Sequence, residues 1–352
     1  MRDPTKGDEP LHADPFFLFL PLMTATATPP PLPDLLVQVH RLNRVFANVH
    51  AVRDASFEIH RGQVVGFIGA NGAGKTTTMR ILATLDSPTS GIVKIAGKDV
   101  MQSPAEVRRL IGWMPDSYGT YSNMSVFEYL DFFARAYGLK KKARQERVAE
   151  VMDFADLTGL ADRPMNKLSK GMGQRLCFGR MLIPDPELLI LDEPAAGLDP
   201  KARLEFKNLV RLLAQRGKTL FISSHILSEL GEMCDTLLFI DGGKIVYHGA
   251  SETLRRGEVN GNGDGKAVVH IHVTGDPTSV SQWADVNPGW KLLEQKRDGA
   301  RMEVDVQDEA QLAAVLRKMI MDGVPVVEFR REERRLEDAF VEMLKVKGGK
   351  PT

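Results

Sequence analysis

The sequence predicts an α/β protein: a mostly parallel sheet with an antiparallel β edge and a helical insertion, followed by a small α+β region. Three observations carry that expectation. The apolar runs "VVGFI", "ELLILD", "KTLFISSH" and "TLLFID" lack polar alternation, as strands buried on both faces of a parallel sheet do. Helical stretches separate the last three runs, which is the alternation of α/β architecture. At 352 residues the chain has the length of about two domains, so a second, smaller unit fits.

In chain order, residues 1–34 are a Pro-rich extension without periodicity and are expected to be disordered. Their apolar run, Phe16 to Met23, has 8 residues, whereas a membrane span needs about 20. It resembles the apolar part of a signal peptide, but Asp3, Asp8, Glu9 and Asp14 stand where such a peptide carries positive charge. Secretion is therefore not expected, and initiation at Met23 would fit the pattern equally well.

From Leu35 to Pro115 the chain is strand-rich, with "LLVQVHRLNRVF", "DASFEIH", "QVVGFIG", "GIVKIAG" and "IGWMP" punctuated by Gly and Asp. Between Ser125 and Asp156 the period changes to about 3.6. Phe127, Leu130, Phe133, Ala134 and Tyr137 then share one helix face, and Val148, Val151, Met152 and Ala155 another. This places the helical insertion at about 118–168. A hairpin-like "DGGKIVYHG" closes a first domain over 35–254, and "RRGEVNGNGDGK", residues 255–266, has the composition of a flexible linker. Residues 267–346 alternate short strands and helices as a ferredoxin-like α+β domain does, and 347–352 form a tail. No internal repeat is present.

Hydrophobic content of 43% and charged content of 26% describe a soluble globular protein. The 46 basic residues balance the 46 acidic ones, so no global field draws nucleic acid or anionic lipid. Cys177 and Cys234 are far apart, lack metal-ligand spacing, and are expected to be reduced thiols.

The chemistry begins at "FIGANGAGKTTTMRIL", residues 67–82. Gly69, Gly74, Lys75 and Thr76 satisfy G-x-x-x-x-G-K-[ST], with a strand before the loop and a helix after it. Glycines let successive backbone N–H groups converge on phosphate oxygens, and the helix N-terminus adds about half a positive charge. Lys75 would neutralise β- and γ-phosphates, and the Thr76 hydroxyl would complete part of a Mg²⁺ shell. With the element order, this loop predicts a P-loop NTPase core. The strand of "ELLILDEP" ends in Asp192, a carboxylate at the C-terminal edge of the sheet, where open α/β folds bind ligands. Asp192 is a candidate for Mg²⁺, and Glu193 for polarising an attacking water.

Further along, "LSKGMGQRL" (168–176) resembles the signature of ATP-binding-cassette (ABC) ATPases, "GLDP" (197–200) resembles their D-loop, and "ISSH" ending at His225 resembles their switch histidine. Order and spacing agree with that family from residue 35 to about 250. The resemblance implies that Phe46 stacks on adenine and that Gly69, Asn71, Gly72, Ala73, Gly74, Lys75, Thr76 and Thr77 bind ATP. It also implies Asp192 on Mg²⁺, Glu193 as catalytic carboxylate and His225 on the γ-phosphate. Ser169 and Gly171 would contact ATP held by a second copy, and Asp199 would link the two sites.

Two departures stand out. Lys170 and Met172 replace a Gly and a Gln of the usual LSGGQ, while the serine and second glycine remain. Where the family places a metal-reaching glutamine, this chain has "WMPDSYGTY" with Asp116, and no glutamine occurs between Gln102 and Gln145. Asp116 can still reach Mg²⁺, with tighter metal dependence and altered coupling as the expectation. His270 and His272 share a strand face without an evident carboxylate or cysteine to complete a metal site. "LKKKARQER" (139–147) is expected to be a solvated helix face. Tyr118, Tyr121, Phe127, Tyr129, Phe132 and Phe133 are expected to be mostly core, although in the family this region receives a helix of the membrane partner.

The resemblance implies the ATP-hydrolysing subunit of an ABC transporter. It would work as a homodimer at the cytoplasmic face of the membrane, with a separately encoded permease, and the C-terminal region points to export. A soluble ABC ATPase acting on the ribosome or nucleic acid is the alternative. Against it stand a single set of motifs, no sustained heptads between 86 and 168, and neutral net charge; no nucleic acid is expected as a partner. An ATP-binding regulator without turnover would not need Glu193.

Overall fold

The computed structural model describes residues 35–256 and 266–340, apart from 118, 120, 122, 232, 307–308, 333–335 and 337–339. The N-terminal extension, most of the linker, Tyr118 and the tail expected at 347–352 lie outside the described residues.

An antiparallel sheet comes first, from β1 (Leu35–Phe46), β2 (Val49–His60), β4 (Ser90–Ile95) and β5 (Lys98–Asp99), in the order β2-β1-β4-β5. The main sheet is built from β3 (Val64–Ile68), β6 (Ile111–Met114), β7 (Leu188–Leu191), β8 (Thr219–Ser224), β9 (Thr236–Asp241) and β10 (Lys244–Ala250). Its order is β10-β9-β3-β8-β7-β6, parallel except for the antiparallel β9–β10 edge. Every residue of β3, β7 and β8 is buried, which is why these strands show no polar alternation.

Alternation along β3 divides two cores. Val65 and Phe67 face the antiparallel sheet and α1 (Lys75–Leu82), where Phe67 stacks on Phe221 at 5.0 Å. Val64 and Ile68 face the helical side. After α2 (Pro104–Leu110), that side holds α3 (Val126–Ala136), α4 (Lys141–Phe154), α5 (Lys170–Leu182), α6 (Pro200–Gln215), α7 (Leu227–Gly231) and α8 (Ser251–Arg256). Cys177 and Cys234 are free and buried there, and burial pushes both thiols upward, so they pack as inert apolar groups.

The face expected for α3 is corrected. Ser125 caps this helix, with a reciprocal bond between the Ser125 N–H and Glu128 Oε2 (2.8 Å). Its buried side runs through Val126, Tyr129, Leu130 and Ala134. A helical neighbour sits about 100° away, so Phe127 and Phe132 turn outward, 43% and 51% exposed, as do Tyr121 and Tyr137. Of the aromatic set expected in the core, only Tyr129 and Phe133 reach it among the described residues. Val148, Val151, Met152 and Ala155 are buried as expected. The basic run 139–147 is not wholly solvated: Arg144 pairs with Asp131 at 2.7 Å, and Arg147 Nε donates to the Ile183 carbonyl at 3.1 Å. Carbonyls freed at the end of α5 give Arg147 a reason to turn inward.

The C-terminal region forms a third sheet from β11 (Lys266–Val273), β12 (Trp290–Lys296), β13 (Gly299–Asp305) and β14 (Val326–Arg331), with α9 (Ser279–Val286) and α10 (Glu309–Met321). The all-antiparallel order β12-β13-β11-β14 on a β-α-β-β-α-β chain is ferredoxin-like. One face of the sheet carries its own core, including Val269, Ile271, Met302 and Val280. The chain then returns: Leu336 and Phe340 belong to the core of the first region, where Phe340 stacks on Phe239 at 4.3 Å. His270 and His272 each pair with a separate carboxylate. His270 lies 2.9 Å from Glu332 and His272 lies 3.0 Å from Asp298. The acids differ, so the two imidazoles do not converge on one ligand position.

Candidate nucleotide site

β3 delivers the chain to Gly69 and α1 carries it away from Gly74, so the glycine-rich loop sits at the C-terminal edge of the main sheet. Two of its glycines are obligatory. A Cβ on Gly69 would collide with the Ile240 carbonyl, and Gly74 has φ 109°, with the Ala51 carbonyl 2.5 Å from where its Cβ would stand. The loop is tied down by Ala73, whose N–H donates to Ala70 (3.1 Å) and whose carbonyl accepts from Gly243 (3.1 Å). Gly74 offers no capping side chain to α1, and no acid lies in its first turn. The first N–H groups of this helix therefore remain available to an anion. Asn71, Gly72 and Thr76 are exposed at the rim, Thr77 is half-buried, and Lys75 is 5% exposed with its ammonium donating to Gly69 O at 2.7 Å.

The carboxylates meet this loop from β7. Asp192 is buried, and Ser223, one strand over on β8, donates to its Oδ1 at 2.7 Å. Ser223 Oγ also accepts the Glu193 N–H at 2.9 Å, holding a residue whose backbone is left-handed at φ 47°. The Glu193 carboxylate lies between two partners: Lys75 Nζ at 3.3 Å from Oε1, an ion pair without hydrogen-bond alignment, and His225 Nδ1 at 2.8 Å from Oε2. Burial first of all raises the Asp192 carboxyl above the usual carboxylate range. The charges of Asp116 and Glu193 add to that rise, and hydrogen bonds from Ser223 and Thr76 oppose it.

That imbalance is the test of whether Mg²⁺ fits. Negative charge gathers around a buried carboxylate already bonded to the Thr76 hydroxyl, and a hard divalent cation would relieve it. Among the described residues, no group of three or more His, Cys, Asp or Glu forms a cage of its own. This suits a metal held by one or two side chains and by substrate phosphates. The residues fit the ion.

The ABC transporter family model matches residues 52–196. The ABC transporter ATP-binding protein NatA of Bacillus subtilis is 37% identical over 211 residues, 60% of this chain and 86% of the relative. The Nod factor export ATP-binding protein I of Cupriavidus pinatubonensis is 31% identical over 315 residues, 89% of this chain and 92% of the relative. The chain belongs to the ABC transporter ATP-binding proteins. Among solved structures, cbiO1 from Clostridium perfringens, part of the ABC transporter complex cbiONQ, is similar with a TM-score of 0.59. The identity is 27%, over 63% of this chain and 90% of that one.

This protein is thus an ABC ATPase, the ATP-binding subunit of a transporter. Of the remaining expected residues, Ser169, Gly171 and Asp199 lie together at the starts of α5 and α6. Ser169 caps α5 by accepting the Met172 N–H at 3.3 Å, and Asp199 caps α6 by accepting the Ala202 N–H at 2.9 Å. Gly171 lies against Ala202 and Leu198, and the Lys170 ammonium lies over Gly197. Asp116 is exposed just beyond β6, and Phe46, 41% exposed, ends β1. Ser223 had no assigned role in the sequence reading. A serine hydroxyl in a fully buried strand needs a partner, and that was the available signal.

Proposed function

We propose that this ABC ATPase works as a head-to-tail homodimer that energises a separately encoded permease at the cytoplasmic face of the membrane, in the direction of export. The triphosphate binds along the loop from Gly69 to Thr77 and draws Lys75 away from the Gly69 carbonyl and from Glu193. Glu193, released, accepts a proton from the water that attacks the γ-phosphorus, while the bond from that phosphorus to the bridging oxygen breaks and ADP leaves with the electron pair. His225 donates to a γ-phosphate oxygen, and Ser169 and Gly171 reach the triphosphate bound by the other copy. Mg²⁺, held through Thr76 and Asp192, would neutralise charge on the phosphates. The adenine stacks on Phe46.

One observation carries this reading: Lys75, Glu193 and His225 are joined by contacts of 3.3 and 2.8 Å directly beside the phosphate loop. Among the described residues no helix is long and apolar enough to cross a membrane. The exposed rings of Tyr121, Phe127 and Phe132 offer the permease an apolar docking face. Support for export comes from the Nod factor export relative, whose similarity spans 89% of this chain and so includes much of the C-terminal region.

The test is turnover beside assembly. Wild type should hydrolyse Mg·ATP, whereas Glu193→Gln should bind ATP without turnover and scatter light as a dimer in saturating Mg·ATP. A Glu193→Gln protein that turns over like wild type, or stays monomeric with ATP bound, overturns the clamp. For the partner, Phe127→Glu with Phe132→Glu should move the protein from the membrane fraction of its own cells to the soluble one.

A further inference from the structure

The end of β1 carries a second feature, separate from the phosphates. Arg44 and Phe46 are two apart on the strand and so project from the same side. The Arg44 guanidinium lies over the Phe46 ring with its central carbon 4.1 Å from the ring centroid. It is held there by Asp86, 2.8 Å from Nη2, and both side chains are largely shielded, 22% and 17% exposed. The strand end itself is pinned to the same segment, because Thr89 Oγ1 accepts the Val45 N–H at 2.9 Å and the Thr89 N–H donates to the Asn43 carbonyl at 2.8 Å.

Asp86 follows the C-terminal end of α1, while the phosphate loop lies at its N-terminal end. Eight helical residues separate the two by about 12 Å. The guanidinium is therefore anchored from the end of α1 opposite the phosphate loop. It covers one ring face, and Phe46 as a whole stays 41% exposed. The hairpin tip beside Phe46 would otherwise leave this ring free to swing, since the strand stops there and Ala47 turns with φ 44°.

We propose that Arg44, tethered by Asp86, is a positioning residue for the purine base: it backs the Phe46 ring and presets it as a stacking platform. The proposal rests on the reading of Phe46 as the base platform. A cation behind an aromatic face binds it electrostatically and costs the ring its rotational freedom before the nucleotide arrives, so less ordering remains at binding. Stacking does not distinguish purines, so ATP and GTP depend on Arg44 alike.

The experiment compares affinities for ATP, GTP and inorganic tripolyphosphate by calorimetry on the full-length protein. The variants are Arg44→Ala, Arg44→Lys, Phe46→Ala and the double Arg44→Ala/Phe46→Ala. Arg44→Ala should weaken ATP and GTP by about threefold to tenfold. Tripolyphosphate binding should hold, and Arg44→Lys should recover part of the loss. In the Phe46→Ala background, Arg44→Ala should cost nothing further. In steady-state assays the loss should fall on KM rather than kcat. Equal weakening of ATP and tripolyphosphate would mean a general structural role and overturn the proposal. Unchanged or tighter ATP binding would overturn it too, the tighter case showing that the guanidinium occupies the face the base requires. Wild-type ATP affinity in Phe46→Ala would bring down the platform reading itself, whereas normal behaviour of Arg44→Ala beside a weakened Phe46→Ala brings down the role of Arg44 alone.

Discussion

Ser223→Ala removes a hydroxyl that holds two residues of the proposed hydrolytic site at once. It donates to Asp192 Oδ1 at 2.7 Å and accepts the Glu193 N–H at 2.9 Å, in a position with no solvent exposure. A buried hydrogen bond to a charged group contributes about 1.5–3 kcal/mol. Because that bond favours the ionised form of Asp192, its loss favours the protonated carboxyl. Burial already raises this carboxyl, and the substitution raises it further. The acid limb of the ATPase pH profile should therefore move to higher pH, and the Mg²⁺ requirement at neutral pH should rise, with recovery as pH increases. Stability follows the same sign. A folded-state value above the unfolded one favours the protonated protein, so the contribution is full below the unfolded value of about 3.9 and is lost as pH rises through the folded value. Ser223→Ala should cost more stability at neutral pH than in acid. The assay is initial ATPase rate against pH at several Mg²⁺ concentrations, with chemical denaturation at two pH values. A variant with the wild-type pH profile and Mg²⁺ requirement would refute the reasoning.

Asp116→Gln should act in the opposite sense, because it deletes a charge that raises Asp192. The acid limb should move to lower pH and the Mg²⁺ dependence should relax; if both stay as in wild type, Asp116 is not part of the site. Phe340→Ala removes a half-buried ring stacked on Phe239 and should cost about 1–3 kcal/mol, less than the roughly 3–5 kcal/mol of a fully buried phenylalanine. An unchanged denaturation midpoint would show that the C-terminal return contributes nothing to the first region. Gly69→Ala forces a methyl group onto the Ile240 carbonyl and should abolish ATP binding, read by calorimetry; retained binding would show that the loop can shift at no cost.

The parts of the site that were legible in the sequence are those made by contiguous chain. Gly69, Gly74 and Lys75 act through loop backbone and one helix start, so their spacing alone implies the cradle. Strands buried on both faces announced themselves as unbroken apolar runs, and Asp192 and Glu193 fell at the end of one of them. The outward turn of Phe127 and Phe132 was not legible, because several faces of α3 are apolar. Which of them is buried depends on what α4 and α5 present to it. The inward turn of Arg147 depended likewise on carbonyls at the distant end of α5.

By itself, then, the chain's order of residues determined an α/β core with a glycine-rich loop, the paired acids Asp192 and Glu193 at a strand end and the strand-helix alternation of the C-terminal sheet, because each is written in spacing along a contiguous stretch. Only the tertiary structure decided that Ser223 would hold Asp192 and Glu193 together, that Arg44 would lie between Phe46 and Asp86, and that Phe340 would return to β9. Those contacts join residues from 30 to about 100 positions apart, apart from the short step from Arg44 to Phe46. No local pattern specifies such pairs, since it is the strand order and the packing of separate layers that bring them within reach.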